Sequence, residues 1–545
     1  MRYRRPIPLL LSLLLIHAAC ADRPPGTEAE AGGGAGHHGE VGSGIAWFDG
    51  PVDAAFAAAE ETGRPLFLYW GAVWCPPCHY LKTKIFTRPE FVARTRETVP
   101  VYLDGDTERA QIYGERFGVQ GYPTVILFNP AGEEITRLPS TLPVGRYTEL
   151  LDTAMSRMRP VKEIFADVMQ AGPAAADPID LNLLAFYAWG QDHEVGLSAE
   201  EKRAAFRRLY AETPPALAAE KARFLALYLT EASRQAGDGE APPALADGER
   251  EELRAAVPAL LEDPALRRSN LDFLFFRSRE TVELLYPTPS AERGALIAAW
   301  KGAAEALETD GELSVDDRLT ALFPPLWLTE LELGTAGEGE SEEAGPDLPA
   351  ELVDHVRERI AWAGGAVSGD GELQAVMSTM AGLLEEASLG DEAQALLSER
   401  MGETVAPYYY MSWLAGMKRE AGETEEALRL YRRAYDTATG RYSRFRYGSI
   451  YLRQRMKLDP EDAATLEAHS NEILDELLGL EDAFAGGNHS RLEQLAAAYG
   501  RWNDDGRHDA LLARLRDRVH AACDRYPEGG DDAQRSRCRA FLALG

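Results

Sequence analysis

The chain has 545 residues, too many for one compact core, so two to four domains are expected. A hydrophobic fraction of 45% is that of an ordinary folded protein and excludes wholesale disorder. With 88 acidic and 57 basic residues the formal charge is −31, which favours solubility and argues against nucleic acid or an anionic lipid surface as the main partner.

In chain order, Arg2, Arg4 and Arg5 precede the apolar run from Pro8 to Ile16, which is too short to span a bilayer. Residues 1–21 therefore read as an export segment with two alternative exits. Ala19-Cys20-Ala21 is a small-residue cleavage site. Ile16-His17-Ala18-Ala19-Cys20 resembles a bacterial lipobox, with His17 in place of the usual Leu and Cys20 as the lipidated residue. Cys20 is thus a candidate lipid anchor. Residues 22–44, with the run Ala31-Gly32-Gly33-Gly34-Ala35-Gly36, read as a flexible tether, in which His37 and His38 are expected to be solvated rather than metal-bound.

Residues 45–158 alternate helix and strand signals. The reading is a helix over Val52–Thr62, a strand over Pro65–Trp70, a helix from Cys75 to Phe86 and a short helix opened by Thr87-Arg88-Pro89-Glu90. It continues with a strand over Val99–Leu103, a helix over Thr107–Phe117, a strand over Thr124–Phe128, a turn at Asn129-Pro130-Ala131-Gly132, a strand over Glu133–Leu138 and a helix over Val144–Met158. From residue 159 to 545 strand signals nearly vanish. Ser198-Ala199-Glu200-Glu201 is a capping box ahead of Phe206, Leu209 and Tyr210, and residues 237–248 and 334–349 read as loops. Met380–Ala387 matches Leu414–Ala421, and Glu392, Ala393 and Leu396 match Glu426, Ala427 and Leu430, each at a separation of 34 residues. This is the period of tetratricopeptide repeats, which places such hairpins near 375–440, with Ala427, Tyr431 and Ala434 as the small-large-small positions.

The chemistry concentrates at Trp74-Cys75-Pro76-Pro77-Cys78, where a buried strand delivers a Cys to the first turn of a helix. Backbone N–H groups in that turn favour a thiolate, the attacking species in thiol exchange, and a second Cys one turn on can resolve the mixed disulfide. A Cys-x-x-Cys pair alone also suits half of a zinc site, although no second pair lies at ligand spacing. With His79 following, it satisfies the c-type haem attachment pattern as well.

Together with Phe86-Thr87-Arg88-Pro89-Glu90-Phe91 and Phe117-Gly118-Val119-Gln120-Gly121-Tyr122-Pro123-Thr124, the motif resembles the thioredoxin superfamily. More narrowly, it is similar to the periplasmic thioredoxin-like domain of the bacterial thiol:disulfide interchange reductase. The resemblance implies an α/β thioredoxin-like domain, followed here by a larger all-α region. It implies Cys75 as an exposed nucleophile, Cys78 as the buried resolving thiol, a cis peptide at Pro123, and Trp74 and Tyr122 as substrate contacts. Many relatives carry a buried Asp six residues before the first Cys. Tyr69 stands there in this chain, and a phenol of pKa ~10 is a poor base, which leaves water, Asp104 or Asp106 for the proton.

Cys523 and Cys538 flank a turn at Tyr526-Pro527-Glu528-Gly529-Gly530 and read as a structural disulfide contributing ~3 kcal/mol. The alternative is an internal redox partner for Cys75. The whole reads as an exported thiol-disulfide oxidoreductase of the cell envelope that needs no cofactor or metal. Its expected partners are cysteine-bearing client proteins, gathered by the helical region, and an upstream redox donor. The alternatives are a scaffold lipoprotein whose thioredoxin fold is a recognition module, and a haem protein.

Overall fold

The structure is a computed structural model. It describes residues 44–545 except 108–109, 140–141, 143, 235–244, 335–346, 527–532 and 543–545. The export segment, the Cys20 anchor, His37 and His38, and most of both expected loops lie outside the described residues. Among the described residues no helix is long and apolar enough to cross a membrane.

The first unit runs α1 (Val52–Thr62), β1 (Leu66–Gly71), α2 (Pro76–Tyr80), α3 (Pro89–Thr95), β2 (Val99–Asp104), α4 (Ala110–Arg116), β3 (Thr124–Phe128), β4 (Glu134–Leu138) and α5 (Val144–Arg157). This is the order expected from the sequence. The sheet order is β2-β1-β3-β4, with β2 parallel to β1 and both β3 and β4 antiparallel to their neighbours. Every residue of β1 is buried, as the continuous apolar run required of a strand covered on both faces. The helix predicted from Cys75 to Phe86 is α-helical only to Tyr80. Leu81–Ile85 then form a π turn, closed by Phe86 N–H on the Leu81 carbonyl at 2.9 Å. The inserted residue re-phases the helix so that Leu81, Ile85 and Phe86 all reach the core, each with no exposed surface.

Beyond α5 the described chain is all helix and connection. The capping box at Ser198 forms, Glu201 N–H donating to the Ser198 hydroxyl and Ser198 N–H to the Glu201 carboxylate, and Phe206, Leu209 and Tyr210 are buried. The two segments matched at 34 residues are consecutive helical hairpins, Asp370–Glu386 with Gly390–Arg400 and Pro407–Glu420 with Thr424–Thr437. Ala427, Tyr431 and Ala434 are buried between them and their neighbours. A third hairpin, Arg441–Leu458 with Ala463–Leu478, covers the end that two units would leave open.

The helices wrap the thioredoxin-like unit rather than trailing from it. Helices between 161 and 331 share one apolar core with the α2/α5 face of the sheet. Helices between 315 and 541 share another with Trp74, Cys75 and Cys78. The opposite sheet face packs against α1 and α4. The C-terminus closes the arc: Arg537 pairs with Glu115 of α4 at 2.6 Å, and Gly486 N–H donates to the same carboxylate at 2.7 Å.

Candidate redox site

Cys75 caps α2 in extended geometry, and its Sγ accepts from Cys78 N–H at 3.3 Å. Pro76 and Pro77 fill first-turn positions whose amides would have no helical partner. Cys75 and Cys78 are joined as a disulfide, with Cα atoms 5.2 Å apart. The Tyr122–Pro123 peptide is cis, and the Tyr122 ring meets Trp74 edge-on at 5.4 Å. Gly105 makes room for Tyr122, since a Cβ there would collide with its hydroxyl. Gln191, from the short turn Trp189–Gln191 of the helical region, holds the cis-proline loop: its Nε2 donates to the Pro123 carbonyl at 3.2 Å and its Oε1 accepts from Thr124 at 3.1 Å. Its own carbonyl accepts from Arg137 at 2.9 Å, and Arg137 is paired in the core with Glu134.

One expectation is corrected here. Cys75 is not exposed: it retains 2% of its surface, Cys78 none and Trp74 5%. The cover comes from the helical region. Gln374 Nε2 donates to the Trp74 carbonyl at 2.9 Å, while its Oε1 accepts from Ala406 N–H at 3.0 Å and its own carbonyl accepts from Tyr410 at 2.8 Å. The Tyr409 ring stacks on Trp74 at 6.2 Å, and the Arg446 guanidinium lies 4.2 Å from the centre of the Trp74 ring. The two aromatic residues expected to meet a substrate therefore lie against protein: Trp74 against Tyr409, Arg446 and Tyr122, and Tyr122 against Trp74.

Tyr69 is buried, and desolvation, with Asp104 and Tyr147 adding to it, raises its hydroxyl well above the ordinary phenol value. It stacks on Tyr102 at 5.4 Å, packs edge-on against Phe86, and makes a long 3.5 Å contact to the Cys78 carbonyl. This is a place in an aromatic core, not that of a proton acceptor. Asp104 accepts from the Tyr102 hydroxyl at 2.9 Å. Asp106 accepts from Ser443 N–H and Oγ–H at 2.8 and 2.9 Å, so its carboxylate serves the interface with the helix Arg441–Leu458. Burial and the neighbouring Asp104 push Asp106 up to about 7. Gly440, at φ +81°, lets the chain turn close against it.

His79 is buried, and burial followed by the nearby Lys82 lowers it to about 4, so it is neutral at pH 7. Its Nε2 bonds the Val73 carbonyl at 2.6 Å. The residues present do not fit a covalently held haem. The histidine nitrogen that would bind iron is committed to backbone, and both cysteines lie in a packed core shared with the helical region.

Cys523 and Cys538 are also joined, their Cα atoms 5.6 Å apart, and both are fully buried. The bridge ties the end of the helix Asp509–His520 to the short helix Gln534–Ala540, which carries Arg537 to α4.

Gln374, Tyr409, Ser443 and Arg446 escape sequence reasoning because they lie about 300 residues or more from the cysteines. One signal was available. Tyr408-Tyr409-Tyr410 cannot share a helix face, so a helix containing all three is covered on more than one side.

Residues 52–155 match the family model of the thioredoxin-like domain. The chain is 31% identical over 85 residues to the Thiol:disulfide interchange protein DsbD 1 of Pseudomonas aeruginosa. It is 34% identical over 87 residues to the Thiol:disulfide interchange protein DsbD of Ralstonia nicotianae. Each match covers 15% of this chain and 14% of the relative, so the chain spans a small part of the relatives it resembles. The chain thus carries a thioredoxin-like domain, and its helical remainder falls outside the matched segment.

Proposed function

We propose that the chain is a thiol-disulfide oxidoreductase of the cell envelope, in which Cys75 and Cys78 exchange a disulfide with cysteine-bearing proteins and the helical region governs which partners reach them. The observation that carries the reading is the Cys75–Cys78 disulfide at the start of α2, with the cis Tyr122–Pro123 peptide in the same unit. An incoming thiolate attacks the Cys75 sulfur, Cys78 leaves, and a mixed disulfide forms. A second thiol of the partner then releases reduced Cys75. Cys78 N–H, already directed at the Cys75 sulfur, stabilises negative charge developing there.

Export rests on the N-terminal segment, and attachment to a membrane rests on Cys20, which lie outside the described residues. The helical hairpins are read as tetratricopeptide-like repeats on their 34-residue register. Their part in partner choice is supported by their place over Trp74. Burial of the pair favours a second reading, a scaffold in which the thioredoxin-like unit is a structural module with little turnover. The two separate in a trapping experiment. Cys78→Ala should hold a mixed disulfide at Cys75 with a cysteine-bearing client, and adding Cys75→Ser should abolish it. Failure of the single variant to form any mixed disulfide would favour the scaffold.

A further inference from the structure

Arg446 stands out among the groups that cover the redox pair. It keeps 6% of its surface, and its Nε and Nη1 have no hydrogen-bond acceptor. A buried cation without a hydrogen-bonded counter-ion is costly, and such groups cluster at functional sites. Asp106, a carboxyl near enough to be influenced by its charge, has its oxygens engaged by Ser443. The guanidinium lies over the ring of Trp74, the residue before Cys75. Cys78 N–H is the one hydrogen-bond donor shown on the Cys75 sulfur, at 3.3 Å, so a nearby cation would add to the stabilisation that the helix start supplies.

We propose that Arg446, supplied by the helical region, is the positioning counter-ion for the Cys75 thiolate formed on reduction, which makes the helices part of the redox centre. The inference rests on the exchange reading above. A partner dithiol gives two electrons and two protons. It becomes a disulfide, the Cys75–Cys78 bond breaks, Cys78 takes one proton as a thiol, Cys75 remains a thiolate beside Arg446, and the second proton goes to solvent.

Other charges lie around the pair. On the helix of the pair itself, His79 is neutral at pH 7 and Lys82 is cationic. Asp104 and Asp106 follow β2, Tyr122 belongs to the cis-proline loop, Asp370 and Glu372 lie on the helix over His79, and Tyr409 and Tyr447 flank Arg446. Glu372 is paired with Lys84. Arg446 is the cation seated on Trp74 itself.

The test uses the full chain with Cys523–Cys538 intact. Thiolate absorbance is followed between pH 4 and 8.5, and the exchange equilibrium is measured against dithiothreitol. Arg446→Met should raise the Cys75 pKa by about one unit and shift the equilibrium up to about tenfold towards the disulfide. Arg446→Lys should restore most of both. A folded Arg446→Met protein with the parent pKa and equilibrium overturns the proposal. So does a variant altered only in KM for a carboxylate-bearing dithiol. Should Arg446→Met not fold, the parent protein decides: a Cys75 pKa at or above the ordinary thiol value of ~8.5 overturns it. If the pair does not cycle in the parent, the exchange reading fails first, which separates the two outcomes.

Discussion

Gln374 reaches across 300 residues of sequence to donate a hydrogen bond to the carbonyl of Trp74 at 2.9 Å. Both partners are buried, so the bond joins two elements that water does not separate. Through it the helix Asp370–Glu386 is fixed to the residue that precedes the redox pair.

Removing that side chain leaves the Trp74 carbonyl and the Ala406 N–H buried without their partner. Gln374→Ala should cost about 1–3 kcal/mol of stability. It should also speed reduction of Cys75–Cys78 by a small thiol several-fold, because the cover opens more often. Denaturant titration and the rate of reduction by dithiothreitol measure the two effects, and an unchanged rate would show that the cover does not limit access.

Asp106 makes the same interface depend on pH. Its carboxyl is raised to about 7 in the folded chain from an ordinary 3.8, so the folded state holds the proton more tightly. Its contribution is fully present below 3.8 and is lost as pH rises through about 7. His79 has the opposite sign: lowered to about 4 from 6.5, it contributes above 6.5, and that contribution is lost as pH falls through about 4. Asp106→Asn should therefore remove the fall that Asp106 imposes between about pH 4 and 7 and leave the His79 loss on acidification over the same range, so that melting temperature rises more steeply with pH there than in the parent.

The second disulfide holds the C-terminal hairpin that brings Arg537 to Glu115. Replacing Cys523 and Cys538 by Ser should cost ~3 kcal/mol for a loop of this length. The midpoint of the Cys75–Cys78 pair should stay where it was. Loss of exchange in the folded double variant would instead identify Cys523 and Cys538 as an internal redox partner.

Tyr69 distinguishes packing from proton transfer. Tyr69→Phe keeps the stack on Tyr102 and gives up only a long contact, so stability should change by less than ~1 kcal/mol and the pH profile of exchange should not move. Tyr69→Asp places a carboxyl among Trp47, Phe86 and Tyr102 and should cost several kcal/mol. A displaced pH profile in Tyr69→Phe would mean that the hydroxyl does take part.

The order of the thioredoxin-like unit is legible in the sequence because each element carries a local signal. Leu66–Trp70 is an apolar run of strand length, Gly63 closes α1, and Asn129-Pro130-Ala131-Gly132 turns β3 into β4. The cysteine pair and the proline that becomes cis are visible through the spacing and resemblance of their motifs. The break of the helix after Tyr80 is not visible, because an extra residue in a π turn leaves no mark beyond a change of phase. The cover over Cys75 is not visible either. Tyr409 and Arg446 are ordinary residues of amphipathic helices until the chain folds back, and their role depends on contacts with residues more than 300 positions away. Arg446 in particular reads as a surface cation in sequence, and only its burial without an acceptor distinguishes it.

The most direct test of the account is a redox titration of the full chain in dithiothreitol or glutathione buffers, with the state of Cys75 and Cys78 read by alkylation and peptide mass. The account predicts one reversible two-electron transition of this pair in folded protein, with a midpoint between about −270 and −120 mV, the span of thioredoxin-fold dithiols. A pair that stays oxidised until the chain unfolds would contradict it.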